Sequence, residues 1–197
     1  MTDSSSLCDS LTESEQERIV HAAARLARRL HAGQVDKAGV DYFSGHLMTV
    51  ASMGATLEER VVGYLHDAAE DTPHTVDEVL HMLAEEVGTP LPEECVARLA
   101  DALRLLDHHA SPDRESYITA VGTCPLATRV KLHDLTHNMD LSRLPSPTRQ
   151  DLDRLERYRR EYDYLSSLYS ETFMADGETR YRCVPLVSVG IRPSIFS

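Results

Sequence analysis

A chain of 197 residues, 42% of them apolar and 26% charged, is sized for one domain with its own core. Its formal net charge of −12 excludes the basic stripe of a general nucleic-acid binder and a polybasic membrane anchor. An anionic small substrate stays open, because a bound divalent ion reverses the local field whatever the global charge.

The opening MTDSSSLCDS has neither the basic start nor the apolar stretch of a signal peptide. It reads as a disordered N-terminus over residues 1–10. No apolar run approaches the length of a membrane span. Cys8, Cys95, Cys124 and Cys183 lie far apart without a CxxC and read as the reduced thiols of a cytoplasmic protein.

Helical signals dominate from there. Thr12 or Ser14, each followed three residues later by a glutamate, can open a capping box, and Ile19, Ala23, Leu26 and Leu30 continue at the helical period. HAGQVDKAGVDYFSG reads as a loop, followed by a short helix from about Gly45 to Met53. Thr56 with Glu59 caps a helix through Val61, Val62 and Leu65 that runs on into HDAAED. Thr75 with Glu78 caps the next, ending at Gly88. Further helices run from Pro92 to about Leu106, from Asp113 through Val121, and from about Pro125 along PLATRVKLHDLTHNMD. Ser146-Pro147 suits the start of a long last helix, with Leu152, Leu155, Tyr162, Leu165 and Leu168 on its buried side. The expected architecture is all-α, a helical bundle over residues 11–174, with residues 175–197 as a non-helical tail or hairpin.

Polar residues then stand where a helical core is expected. His46 begins the short helix, His66 and Asp67 follow Leu65, and Asp134 lies one turn before His137 and Asn138. Two imidazoles and two carboxylates, with no thiolate, are the donors of a Mn²⁺, Fe²⁺, Zn²⁺ or Mg²⁺ site. Such an ion acidifies water and neutralises a phosphoryl oxygen. Glu70 and Asp71, one turn beyond, can then take or orient the water's proton. An acidic solvated face explains HDxxED alone equally well; the separate His46 and Asp134 favour a site. His21, His31, His74, His81, His108 and His109 read as surface or half-buried residues.

These blocks, AxxLARRLHAGQVDKAGVDYFSGHLMTVA, GYLHDAAEDTPHTVDEV, ESYI and ATRVKLHDLTHNMDLSRL, resemble the HD-domain phosphohydrolases. The closer likeness is to the hydrolase domain of Rel/Spo homologues and small alarmone hydrolases. The resemblance runs from about Ala24 to Leu144. It implies an all-helical HD domain, metal ligands His46, His66, Asp67 and Asp134, usually for Mn²⁺, and catalytic acids Glu70 and Asp71. It also implies that Lys37 and Asn138 contact the nucleotide. The implied reaction takes 3′-pyrophosphate from (p)ppGpp or (p)ppApp to give GDP or GTP (ADP or ATP) and pyrophosphate. This sequence departs from the family at Asp36, where an arginine usually precedes the lysine, and at Gly45, one residue more before His46. It departs again at Leu135 and Leu141.

With no synthetase segment after the last motif, the expectation is a stand-alone hydrolase of the cytoplasm, with a nucleotide substrate and an alarmone synthetase as functional counterpart. Two alternatives stand beside it: an HD phosphohydrolase of another nucleotide, such as a dNMP or dNTP, and a non-catalytic regulatory module. Tyr158, Tyr162 and Tyr169 are read as core, with a homo-oligomer seam as the alternative.

Overall fold

The computed structural model describes residues 11–169, and within them the chain is helical throughout apart from turns and one isolated bridge, Val35 to Asp41. The expected N-terminal disorder and the expected C-terminal tail lie outside the described residues. No helix among the described residues is long and apolar enough to cross a membrane.

The helices begin where local chemistry supplies the missing hydrogen-bond partners. Thr12 and Glu15 form a reciprocal capping box for α1 (Glu13–Leu30). After a loop come a π-helical turn (Phe43–Leu47), α2 (Met48–Ser52), α3 (Leu57–Leu65) capped by Thr56, and the single turn α4 (Ala68–Asp71). Thr75 and Glu78 box the start of α5 (Val76–Val87), and Gly88 ends it at φ 75°, a left-handed conformation that suits glycine. Then follow α6 (Glu93–Leu106), α7 (Arg114–Val121) capped by Asp113, α8 (Pro125–Asn138) and α9 (Arg149–Leu168).

The central element is α8. It packs against α2, α3, α6 and α9, and it is buried nearly all round rather than on one stripe. Leu126, Ala127, Val130 and Leu135 are fully enclosed, and so are polar members of the same helix: Thr128, Lys131, Asp134 and His137 are all buried. Buried charge of this kind needs partners, and Lys131 and Asp134 pair with each other while His46 of the π turn and His66 after α3 meet Asp134.

The crossing of α2 and α3 fixes the distance between the two histidine-bearing segments. A Cβ on Gly63 would fall 2.7 Å from the Ala51 Cα and 3.0 Å from its nitrogen. Backbone cannot yield there as a side chain can. Gly63→Ala is therefore expected to force α2 and α3 apart, costing about 1–3 kcal/mol of stability and weakening binding of a divalent metal by the histidines these segments carry. Urea denaturation and metal titration check this, and a variant with wild-type values for both would show that the crossing is not tight.

Three sequence expectations need correction. The helix expected to run through HDAAED breaks at His66-Asp67, for reasons given below. Pro147 does not open the last helix; Thr148 caps it, boxed with Asp151, so that Arg149 is its first residue. Leu152 is 49% exposed rather than core, because α9 buries its C-terminal half, where Glu161, Tyr164 and Leu165 are enclosed.

Candidate metal centre and cavity

In a regular helix, consecutive residues point about 100° apart and cannot serve one centre. The break after α3 removes that restriction. His66 closes the helix with its Nδ1 2.8 Å from the Gly63 carbonyl oxygen, and Asp67 takes φ −96°, ψ 0° before α4 begins. The two side chains then converge, His66 Nε2 lying 3.1 Å from Asp67 Oδ2. The Gly63 carbonyl makes Nδ1 the donor and so turns Nε2 toward the centre.

His46 arrives from the π turn, in which the Met48 amide donates to the Phe43 carbonyl, five residues back. A π turn accommodates one more residue than an α turn, which is how the chain takes up Gly45 and still delivers His46 inward. Gly45 itself is closely confined: a Cβ would lie 3.0 Å from Val40 Cγ1 and 3.1 Å from Asp36 Oδ2. His46 Nε2 lies 3.3 Å from His66 Nε2, 3.4 Å from Asp67 Oδ2 and 3.3 Å from Asp134 Oδ1. Asp134, from α8, is 3.9 Å from His66 Nε2 through the same oxygen. His46, His66 and Asp134 are buried.

This donor set fits a divalent ion. Nitrogen and oxygen ligands about 2.0–2.2 Å from a metal and at right angles lie roughly 3 Å from one another, the spacing found here. Two imidazole nitrogens facing each other, beside two carboxylates, is an arrangement a cation between them satisfies.

The outer partners of the cluster are equally specific. The Tyr42 hydroxyl donates to Asp67 Oδ2 at 2.6 Å, Lys131 donates to Asp134 Oδ2 at 2.8 Å, and Asn138 donates to Asp134 Oδ1. His46 Nδ1 lies 2.7 Å from His137 Nδ1, and the Arg143 guanidinium reaches that same His137 nitrogen at 3.2 Å. Burial, then the positive neighbours His46 and Arg143, push the His137 pKa down to about 4. Neutral His137 therefore accepts from His46 Nδ1–H and turns His46 Nε2 toward the centre. Burial alone would raise the Asp67 and Asp134 pKa values, but the surrounding cations overcome it and hold both carboxyls ionised.

Burial lowers the His46 pKa, but hydrogen bonds to Asp134 and Asp67 outweigh it and lift the value to about 9. Without an ion the cluster thus holds a proton on His46 at neutral pH, and an incoming ion must displace it. Apparent metal affinity is expected to rise with pH up to about 9 and to level off above, with protons released on ion binding at pH 7. Calorimetric titration in buffers of different ionisation enthalpy measures that release; equal heats in all buffers would contradict it.

A cavity of about 280 Å³ opens onto the cluster. Lys37, Glu70, Asp71, Asn138 and Tyr158 line it with the cluster's own Tyr42. Burial, then the charges of Asp67 and Glu70, raise the Asp71 pKa. The Asp71 carbonyl accepts from Gln34 Nε2 at 3.1 Å, and Gln34 Oε1 meets His31 Nδ1 at 2.8 Å. His31, expected at the surface or half-buried, is fully buried. The Lys37 ammonium stands 5.9 Å over the Tyr158 ring.

Asp36 lines the cavity as well, but its carboxylate is already engaged. Its Oδ1 accepts the Ala38 and Val40 amides, each at 2.9 Å, and its Oδ2 pairs with Arg143. It organises its own loop and ties it to the turn after α8. Other cavity cations are also paired: Arg114 with Glu161 in a two-pronged contact at 2.8 and 2.9 Å, and Arg154 with Asp151 at 3.3 Å.

The structure brings His46, His66, Asp67 and Asp134 together and sets Glu70, Asp71, Lys37 and Asn138 around one cavity. The sequence reading missed the parts played by Tyr42 and His137. Spacing held a signal for each, since Tyr42 lies four residues before His46 and His137 three after Asp134. Lys131, three before Asp134, is buried against that carboxylate.

An all-helical protein with a two-histidine, two-aspartate donor set beneath a polar cavity is the class that fold and site define. No family model matches the chain. It is 28% identical over 141 residues to a probable GTP pyrophosphokinase of Mycobacterium leprae, covering 67% of this chain and 17% of that protein. It is 27% identical over 146 residues to a GTP pyrophosphokinase of Streptomyces antibioticus (73% and 17%). A guanosine-3′,5′-bis(diphosphate) 3′-pyrophosphohydrolase of Haemophilus influenzae is 32% identical over 126 residues (58% and 17%). These likenesses support kinship with the Rel/Spo family, and the match spans about 17% of the length of each relative.

Proposed function

We propose that residues 11–174 form a divalent-metal-dependent hydrolase domain, with Mn²⁺ as the ion, that removes 3′-pyrophosphate from (p)ppGpp or (p)ppApp. The observation that carries this reading is the convergence of His46, His66, Asp67 and Asp134 under a cavity lined by Glu70 and Asp71. The similarity to a 3′-pyrophosphohydrolase supports this choice of reaction.

When bound, the ion would supply Lewis acidity toward a phosphoryl oxygen and toward water. The chain's own groups do the rest. Tyr42 and Lys131 hold the outer oxygens of the two aspartates, and His137 and Gly63 fix the two imidazoles. Water attacks the phosphorus bonded to O3′, the P–O3′ bond breaks, pyrophosphate leaves and O3′ gains a proton. Asp71, with its raised pKa, and Glu70 are the groups placed to take the water's proton. Lys37 offers a cation to the leaving phosphates, and Asn138 offers an amide to the ribose.

One observation favours a second reading, a phosphohydrolase of a less highly charged nucleotide such as a dNMP. Arg114, Lys131, Arg143 and Arg154 already pair with acids, so among the described residues Lys37 is the cavity cation outside such a pair. Turnover of (p)ppGpp, (p)ppApp, GTP and deoxynucleotides with Mn²⁺, products resolved chromatographically and Asp67→Ala as the blank, separates the two. Pyrophosphate from the 3′-pyrophosphorylated nucleotides alone is the expected result. Phosphate from a deoxynucleotide, with the alarmones untouched, would overturn the substrate assignment.

A further inference from the structure

We propose that His108 is a positioning residue for Glu70, holding one carboxylate oxygen so that the other faces the reacting water; the inference rests on Glu70 acting in the reaction proposed above. Glu70 lies on the single turn α4, where nothing in its own element restrains a side chain with three rotatable bonds. His108 comes from the 3₁₀ turn (His108–Ala110) after α6, 38 residues further along the chain.

Two donors of this one residue meet one oxygen. The His108 backbone N–H reaches Glu70 Oε2 at 3.3 Å, and its Nδ1 reaches the same atom at 2.7 Å. Oε1 is then the oxygen that His108 leaves to the cavity, which Glu70 lines and His108 does not. A single surface ion pair is weak and samples many geometries. A backbone and a side-chain donor from one residue instead fix both the position and the rotation of the carboxylate.

The support behind His108 is firm. Asp107 caps the turn by accepting the His109 amide at 3.0 Å. The His108 ring packs 4.0 Å from the His109 ring and 6.2 Å, edge on, from Tyr117. Tyr117 is buried, its hydroxyl donating to the Leu106 carbonyl at 3.0 Å. The imidazole is thus a braced strut between α6, α7 and the acid on α4, with its side chain still 42% exposed.

The test uses the full chain with Mn²⁺ and four variants. His108→Ala is expected to lower kcat about tenfold, within the range of misplaced catalytic groups, with KM and Mn²⁺ affinity unchanged. His108→Asn sets an amide donor near the former Nδ1 and is expected to restore most of that loss, whereas His108→Gln, reaching toward the Nε2 position, is not. Adding His108→Ala to Glu70→Gln is expected to lower kcat no further than Glu70→Gln alone, because the two groups act as one.

Equal losses for Ala, Asn and Gln, or full additivity with Glu70→Gln, would overturn the proposal. A Glu70→Gln variant with wild-type turnover would instead overturn the role given to Glu70. A readout independent of substrate stands beside these: the ¹⁵N shift of His108 Nδ1 is expected to move in Glu70→Gln. An unmoved resonance would refute the contact whatever the enzyme turns over.

Discussion

Asp134→Ala is expected to abolish binding of divalent metal and to lower unfolding free energy by about 3–5 kcal/mol, the cost of leaving a buried charge without its partner. The stability loss follows from the other side of the pair. Lys131 is buried on α8, and Asp134 Oδ2 meets its ammonium at 2.8 Å. Burial opposes the ammonium's charge, yet the neighbouring carboxylate more than compensates and raises the Lys131 pKa. Remove the carboxylate and the compensation goes. Lys131→Met in the Asp134→Ala background is expected to recover much of the stability and none of the metal binding, because an apolar side chain of similar length needs no counter-charge. Urea denaturation and calorimetry measure the two effects separately. A single variant as stable as the wild type would show that Lys131 finds water, and the buried pair would then lose its structural role.

Glu70→Gln is expected to retain the fold and the bound ion while lowering turnover by about 10²–10⁴, the usual contribution of a positioned acid or base. Glu70 reaches the cavity without joining the donor cluster, and glutamine keeps an acceptor for the His108 donors. Only the capacity to take a proton is lost. Steady-state kinetics beside Mn²⁺ titration measures this. Loss of metal affinity together with turnover would place Glu70 among the ligands, and unchanged turnover would leave Asp71 as the sole base.

Much of this was legible from local sequence, because capping and periodicity act over three or four residues. Thr12 with Glu15 and Thr75 with Glu78 form the expected boxes, and Gly88 ends α5 as expected. The four donors were legible as residue types on different helices. Their convergence depends on features with no local signature. The break at His66-Asp67 needs the His66 contact to the Gly63 carbonyl, and the helix crossing beneath it needs Gly63 against Ala51. A continuous helix was the reasonable expectation for Thr56 onward, and it would have turned Asp67 away from His66.

Long-range pairing was illegible for the same reason. Asp36 read as half of a cation clamp replaced by an acid, and its partner Arg143 lies 107 residues away. His108 read as a surface or half-buried histidine without a partner, and only the turn after α6 brings it to Glu70. In α8, apolar and charged residues share every face, so periodicity could not reveal that Lys131 and Asp134 are buried together.

The central claim is that His46, His66, Asp67 and Asp134 hold one divalent ion. The most direct measurement is a crystal structure of the Mn²⁺-soaked protein with anomalous data at the manganese edge. The account predicts one anomalous peak per chain, within bonding distance of His46 Nε2, His66 Nε2, Asp67 Oδ2 and Asp134 Oδ1. A peak elsewhere, or none at saturating Mn²⁺ with the four side chains ordered, would contradict it.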